Sequence, residues 1–220
     1  MAPHHVYRDF LGAETRASLL DWALANEHRF APSKTEGGYD PAKRVSSVLN
    51  DLGPLRPALK ARLLADAPAI MAQLGMRPFT PSKVEIEMAA HNQGAHFGAH
   101  VDTRVGRFAD RLHDRLLSGV YYFHREPKAF SGGMLRIFRF GSTGQGDDAR
   151  IAPEQNSLAV FPSWATHAVT HVECPSGAFA DSRFALNIWI YRERVGGNPN
   201  GVSHAQAERS AVRSARSPSR

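Results

Sequence analysis

The sequence predicts a mostly β domain whose helices come first, and three observations lead there. Two stretches with helical apolar spacing fall before residue 82. From residue 83 onward, apolar residues alternate with a period of two. About eight short strand patterns then follow, separated by turn residues. Short strands at close spacing build a sandwich, a barrel or a jelly roll. No internal repeat is visible.

Taken in order, residues 6–10 read as a first strand. Residues 14–27 read as a helix, with Leu19, Leu20, Trp22 and Ala23 as its apolar stripe. Pro32, Gly37, Gly38 and Pro41 make residues 31–43 a loop. Residues 44–52 fit no single period. A second helix is expected over 55–74, with Pro57 in its first turn, Gly75 as its stop, and Leu59, Leu63, Leu64 and Leu74 as core. Val84, Ile86 and Met88 alternate with Glu85 and Glu87, as in a half-buried strand. The charged residues 104–117 read as a loop or short helix. Further strands are expected over 117–123, 134–140, 157–162, 168–172 and 183–191. A turn at 131–133 and a polar loop at 141–150 separate the first three.

The chain has 220 residues, 42% hydrophobic and 22% charged, which suits one domain with a real core plus a tail. No apolar run is long enough to span a bilayer, and the N-terminal residues lack the features of a signal peptide. Cys174 is the single cysteine, so an intrachain disulfide and any multi-thiolate metal site are excluded, and a reducing cytoplasm is the expected compartment. The net charge is +6, and half of it lies beyond residue 197, in Arg209, Arg213, Arg216 and Arg220 against Glu208. Residues 194–220 have no apolar periodicity and are expected to form a disordered basic tail.

His100 and Asp102 stand two apart in a segment that reads as extended, which points both side chains to one face. They supply two of the three ligands of a 2-His-1-carboxylate iron site, although an exposed pair on a loop has the same spacing. Downstream, a strand ends at Phe161-Pro162 and delivers His167 to its rim. His171 shares its parity and is the alternative ligand. Arg183 opens an apolar strand whose parity places Arg183, Ala185, Asn187 and Trp189 on one face. Such an arginine needs an anion. Arg192 and Arg194 are alternatives for that role. The Tyr122 hydroxyl would reach the same cavity.

Together these residues resemble the 2-oxoglutarate and Fe(II)-dependent oxygenases, in particular the prolyl 4-hydroxylase-like branch. The resemblance covers residues 84–192, roughly half of the chain. It rests on 91–102, on Val120-Tyr121-Tyr122-Phe123 with Ser131-Gly132-Gly133-Met134 after it, on Phe161-Pro162-Ser163-Trp164 before His167, and on the strand opened by Arg183. It implies a double-stranded β-helix, a cupin-like jelly roll, with helices packed on one side. Residues 1–82 would support that core within one domain, and 83–193 would form it. It implies Fe(II) on His100, Asp102 and His167, and 2-oxoglutarate held by Arg183 and Tyr122. It also raises ascorbate as a reductant for oxidised iron. The activity implied is hydroxylation of an unactivated C–H bond, with 2-oxoglutarate and O2 converted to succinate and CO2.

A prolyl residue in a protein or peptide is the leading substrate expectation. A free amino acid or small metabolite is the alternative, and a non-catalytic jelly-roll binding module is the alternative of another class. Nucleic-acid demethylation is disfavoured, because Trp189 stands where the repair enzymes carry a second arginine. Halogenation is disfavoured by the carboxylate of Asp102. Two departures stand out. His91 occupies a position where the branch usually has tyrosine, so His91, Trp189 and Asn187 are the pocket candidates. Arg183 follows His167 by a longer interval than usual, with the extra length in residues 173–182. Arg44 reads as solvated, His96 as rim, His124 as surface, and Gly132 and Gly133 as a turn with a close strand approach.

Overall fold

The computed structural model describes residues 1–34, 38–104, 112–142, 146 and 148–194. The expected disordered tail therefore lies outside the described residues apart from Arg194. Strand β1 (His5–Tyr7) precedes helix α1 (Ala13–Ala25), and β2 (Ala31–Pro32), β3 (Arg44–Val45) and β4 (Ser47–Leu49) follow. After helix α2 (Leu55–Gln73) come β5 (Pro81–His91), β6 (His96–His100), β7 (His113–Phe123), β8 (Ser131–Gly132) and β9 (Leu135–Phe138). The chain ends with β10 (Asp148–Ile151), β11 (Ser157–Pro162), β12 (His167–Val169), β13 (Val172–Glu173) and β14 (Arg183–Glu193).

The strands form a seven-stranded sheet in the order β1-β11-β7-β14-β5-β4-β2 and a five-stranded sheet in the order β10-β9-β12-β6-β3, with all pairings antiparallel. Strands β13 and β8 pair separately, also antiparallel. The larger sheet buries Val84, Ile86, Met88, Leu186 and Ile188 against the two helices. Its other face packs Tyr122, Ala159, Phe161 and Ala185 against Leu135 and Ile137 of the smaller sheet. This gives three layers, and alternation along each strand of the middle layer decides which residues meet the helices and which meet the second sheet.

Helix α2 buries Leu59, Leu63, Ala67, Ile70 and Met71, the spacing of one helical face. Gly75 follows its end at φ 62°, a left-handed backbone that glycine adopts without strain. Leu64, expected in the core, is 43% exposed because it lies one position round from the buried face. The expected loop over 104–117 is corrected in its second half: His113–Leu117 belong to β7, and 105–111 lie outside the described residues. Charged residues at its start hid the strand, because their partners lie on other strands: Arg115 meets Glu85 of β5 at 3.2 Å. Asp114 lies opposite Arg192 and pairs with Arg192 and Arg194. The polar loop over 141–150 likewise ends in a strand, where Arg136 makes a two-pronged pair with Asp148.

Two registers position the site. In the smaller sheet His167 sits opposite His100. In the larger sheet Arg183 sits opposite His91, and Ala185 opposite both Ala89 and Tyr122.

Candidate metal centre

His100, Asp102 and His167 offer ligand atoms that all lie within 4.8 Å of one another, the one such cluster among the described residues. His100 is the last residue of β6, and Asp102 lies just past it. The pair does not share a strand as the spacing predicts. The chain instead turns, and the backbone N–H groups of Asp102 and Thr103 both donate to the Ser163 carbonyl, at 2.9 and 3.0 Å. That clamp ties the carboxylate to the loop carrying His167.

Each histidine is oriented the same way. His100 Nδ1 meets the Gly98 carbonyl at 2.8 Å, and His167 Nδ1 meets the Ala165 carbonyl at 2.9 Å. A carbonyl only accepts, so Nδ1 carries the hydrogen and the Nε2 lone pair is left for a ligand. Both Nε2 atoms face Asp102, at 3.9 and 3.6 Å. Ser118 Oγ donates to Asp102 Oδ2 at 2.7 Å. Burial, then the charge of His167, pushes the His100 pKa down to about 3. Burial alone would raise Asp102, but the two histidines, Ser118 and Arg115 outweigh it and hold the carboxyl below its ordinary value. Free Nε2 lone pairs beside an ionised carboxylate are what a divalent cation binds.

Behind the cluster a narrow inner cavity of about 40 Å³ is lined by His91, His100, Asp102, His167, Arg183 and Asn187, among others. Arg183 is 1% exposed. Its Nη1 donates to His91 Nδ1 at 3.2 Å, and its guanidinium carbon lies 4.8 Å from the centre of the Tyr122 ring. Arg183 Nε and Nη2 and the Tyr122 hydroxyl are buried without a partner among the described residues. Burial pulls the arginine's pKa down, with Tyr122 opposing. It pushes the Tyr122 hydroxyl up, with Arg183 opposing. A buried cation with two unused nitrogens beside a phenol calls for a small anion.

A model of the 2OG-Fe(II) oxygenase superfamily matches residues 86–191 of this sequence, the span that carries all of these groups. Residues 86–191 belong to the 2OG-Fe(II) oxygenase superfamily. Members of this superfamily use Fe(II) and 2-oxoglutarate. Among curated proteins, an uncharacterized PKHD-type hydroxylase of Synechocystis sp. is 31% identical over 192 residues. That alignment takes in 84% of this chain, which spans 62% of the relative's length. Among solved structures, a Pseudomonas putida prolyl-4-hydroxylase superposes with a TM-score of 0.64 at 20% identity, over 87% of this chain and 94% of its own. A Trichoplax adhaerens prolyl hydroxylase, solved with a hypoxia inducible factor peptide fragment, gives 0.62 at 16% identity, over 87% and 84%. At these identities the two structures share the fold.

The donor set fits what the oxygenase superfamily uses. Two imidazoles and a carboxylate converge on one point, and the unpartnered guanidinium and phenol match an anionic co-substrate. The alternatives lie elsewhere: His171 stacks on His96 at 4.4 Å, and Arg192 and Arg194 pair with Asp114. His91 is buried, and burial followed by the charges of Arg183 and Arg44 holds its pKa well below the ordinary value. It is a neutral acceptor for Arg183. Asn187 Nδ2 donates to Glu87 at 3.1 Å, and Trp189 lies under the Arg115 guanidinium at 4.2 Å.

Four residues were missed or misread from sequence. Arg44 was expected in solvent, yet it is 9% exposed, pairs with Glu87 at 3.0 Å and lies 4.9 Å from the Phe97 ring. Arg115 is buried between Tyr191, Glu85 and Trp189. Ser118 supports Asp102. Glu85 and Glu87 on the inner face of β5 were the available signal, because inward carboxylates require cations. His124, expected on the surface, is 7% exposed and packs edge-on against Phe130.

Proposed function

We propose that the chain is an Fe(II)- and 2-oxoglutarate-dependent dioxygenase that hydroxylates an unactivated C–H bond, with a prolyl residue of a protein or peptide as the substrate of choice. The observation that carries this reading is the buried, partly unpartnered Arg183 within one narrow cavity of the His100, Asp102 and His167 cluster. In this reading the two sheets form a double-stranded β-helix, residues 1–82 brace residues 83–193 within one domain, and His100, Asp102 and His167 hold the iron. Likeness in fold to the prolyl hydroxylases supports the choice of substrate.

The bound iron and keto acid supply the oxidation: one atom of O2 enters the C–H bond as hydroxyl, and the other leaves in succinate as CO2 is lost. The rest falls to the chain's own side chains. Arg183 grips the distal carboxylate of 2-oxoglutarate through Nε and Nη2, and the Tyr122 hydroxyl donates to it. His91 holds Nη1 and so fixes the plane of the guanidinium. Ser118 and the Ser163 carbonyl hold Asp102 in place. Leu135, Val169 and Val120 keep the inner wall apolar, which strengthens each of these polar contacts.

Anaerobic addition of Fe(II) and 2-oxoglutarate to the purified protein is expected to give a visible charge-transfer band. Admitting O2 is expected to release succinate, and a proline-containing peptide substrate gains one oxygen atom by mass spectrometry. A folded, iron-loaded protein that shows neither band nor succinate refutes the reading.

A further inference from the structure

Outside the metal centre the surface opens into a groove of about 910 Å³, which shares Arg44, Phe97, His100, Asp102 and Trp189 with the inner cavity as common walls. Eight lysines and arginines line it, against three carboxylates. Those carboxylates are engaged already. Glu87 meets Arg44 at 3.0 Å, Glu85 meets Arg115 at 3.2 Å and Lys83 at 2.7 Å, and Asp102 faces the two histidines. The outer wall carries Lys34, Lys43, Arg56 and Lys60. Of these, Lys43 reaches Asp40 across 3.6 Å at an exposed position. The groove beside the iron site is thus cationic, and its field favours an anionic occupant.

The sheet indicates what kind of anion. Strand β5 pairs with β14 along its length on one side. On the other side β4 covers only Met88, Ala89 and Ala90. Among the described residues no strand pairs with residues 83–87 on that side, and all five line the groove. Arg56 meets the Ile86 carbonyl at 3.5 Å, which shows that this free edge looks into the groove. An open edge presents N–H and C=O groups to an extended polypeptide. Bases of a single-stranded nucleic acid need open ring faces to stack on. Here Phe97 is stacked on His100 at 3.6 Å and Trp189 lies under Arg115 at 4.2 Å.

We propose that the groove binds an acidic polypeptide segment, extended along the free edge of β5, with its carboxylates on Lys34, Lys43 and Lys60 and its target residue at the metal centre. The chemistry at the target residue rests on the oxygenase reading above, whereas the binding does not.

The test is fluorescence anisotropy with the full chain and labelled twelve-residue peptides that carry one central proline flanked by glutamates, by serines or by lysines. A single-stranded oligothymidylate of equal charge is the fourth probe. The glutamate peptide is expected to bind at least about 10-fold more tightly than the serine peptide, and to weaken steeply between about 0.05 and about 0.2 M salt. Combining Lys34→Glu with Lys60→Glu is expected to lower its affinity on the order of 10-fold, and the corresponding glutamine pair by less, with unchanged circular dichroism. Equal binding of the three peptides overturns the proposal. So does tighter binding of the oligothymidylate, or indifference to the lysine substitutions. If the charge-transfer band fails while the glutamate peptide still binds selectively, the oxygenase reading falls and the groove assignment stands. If the band is present without peptide selectivity, only the groove assignment falls.

Discussion

The buried Arg183 carries one bonded and two unpartnered guanidinium nitrogens among the described residues, and that imbalance makes its role measurable. Arg183→Ala is expected to raise the KM for 2-oxoglutarate by about 30-fold or more, as when one partner of a buried charged pair is removed. Arg183→Lys keeps the charge but loses the fork, so it falls between the two. Iron affinity without 2-oxoglutarate stays near the wild-type value in both. A parallel loss of iron binding, followed by isothermal titration, refutes the assignment. The same scale separates the ligand histidines. His167→Ala is expected to abolish iron binding and His171→Ala to leave it intact, because His167 turns its Nε2 toward Asp102 whereas His171 stacks on His96. Ser118→Ala removes the hydroxyl that orients Asp102 and is expected to cost at least about 10-fold in metal affinity. An unchanged Kd sinks that role for Ser118.

At the scale of the element, the junction of β8 with β9 reaches the Arg183 side chain through a residue that has no side chain of its own. Gly133 sits at φ 63°, and a Cβ there would lie 2.5 Å from Arg183 Cδ. Gly133→Ala is expected to displace the guanidinium and raise the 2-oxoglutarate KM while iron affinity holds. It would also lower stability by about 1–2 kcal/mol for the left-handed backbone. Kinetics with urea unfolding checks both, and a KM that does not move shows that the close approach is incidental. The sequence made Gly133 visible as a turn residue with a close strand approach, but not its neighbour, because Arg183 arrives from fifty residues downstream. The same limit hid Arg44 and Arg115. Strand parity along β14 put Arg183, Ala185, Asn187 and Trp189 on one face, and Arg183, Asn187 and Trp189 line one cavity, since alternation is a local property. Which cation meets Glu87 is a matter of sheet register, and register depends on strands far apart in the chain. The start of β7 was hidden for the same reason, its charges being paired by residues of β14 and β5.

For the whole molecule, three layers place titratable groups where water does not reach, and stability must then follow pH. Burial lowers the pKa of His91, His100 and His124 in the fold, while the unfolded chain holds them near the ordinary 6.5. Below that value the unfolded state binds more protons than the folded one, so stability rises with pH through this window and is lost as pH falls through about 6.5. Each fully shifted histidine contributes about 1.4 kcal/mol per pH unit there. The depressed carboxyls of Asp102 and Asp148 act lower, where their stabilisation disappears only as pH drops below the ordinary carboxyl value of 3.8. Metal-free protein, unfolded in urea with a chelator present, is therefore expected to weaken between about pH 7 and about pH 5, before acid reaches the carboxyls. His91→Gln supplies an amide oxygen to Arg183 but cannot take up a proton. Its stability should follow a shallower slope across that window, whatever its value at neutral pH. A slope equal to that of the wild type shows that His91 is not held neutral in the fold, and it removes the basis for treating His91 as the acceptor that sets the arginine.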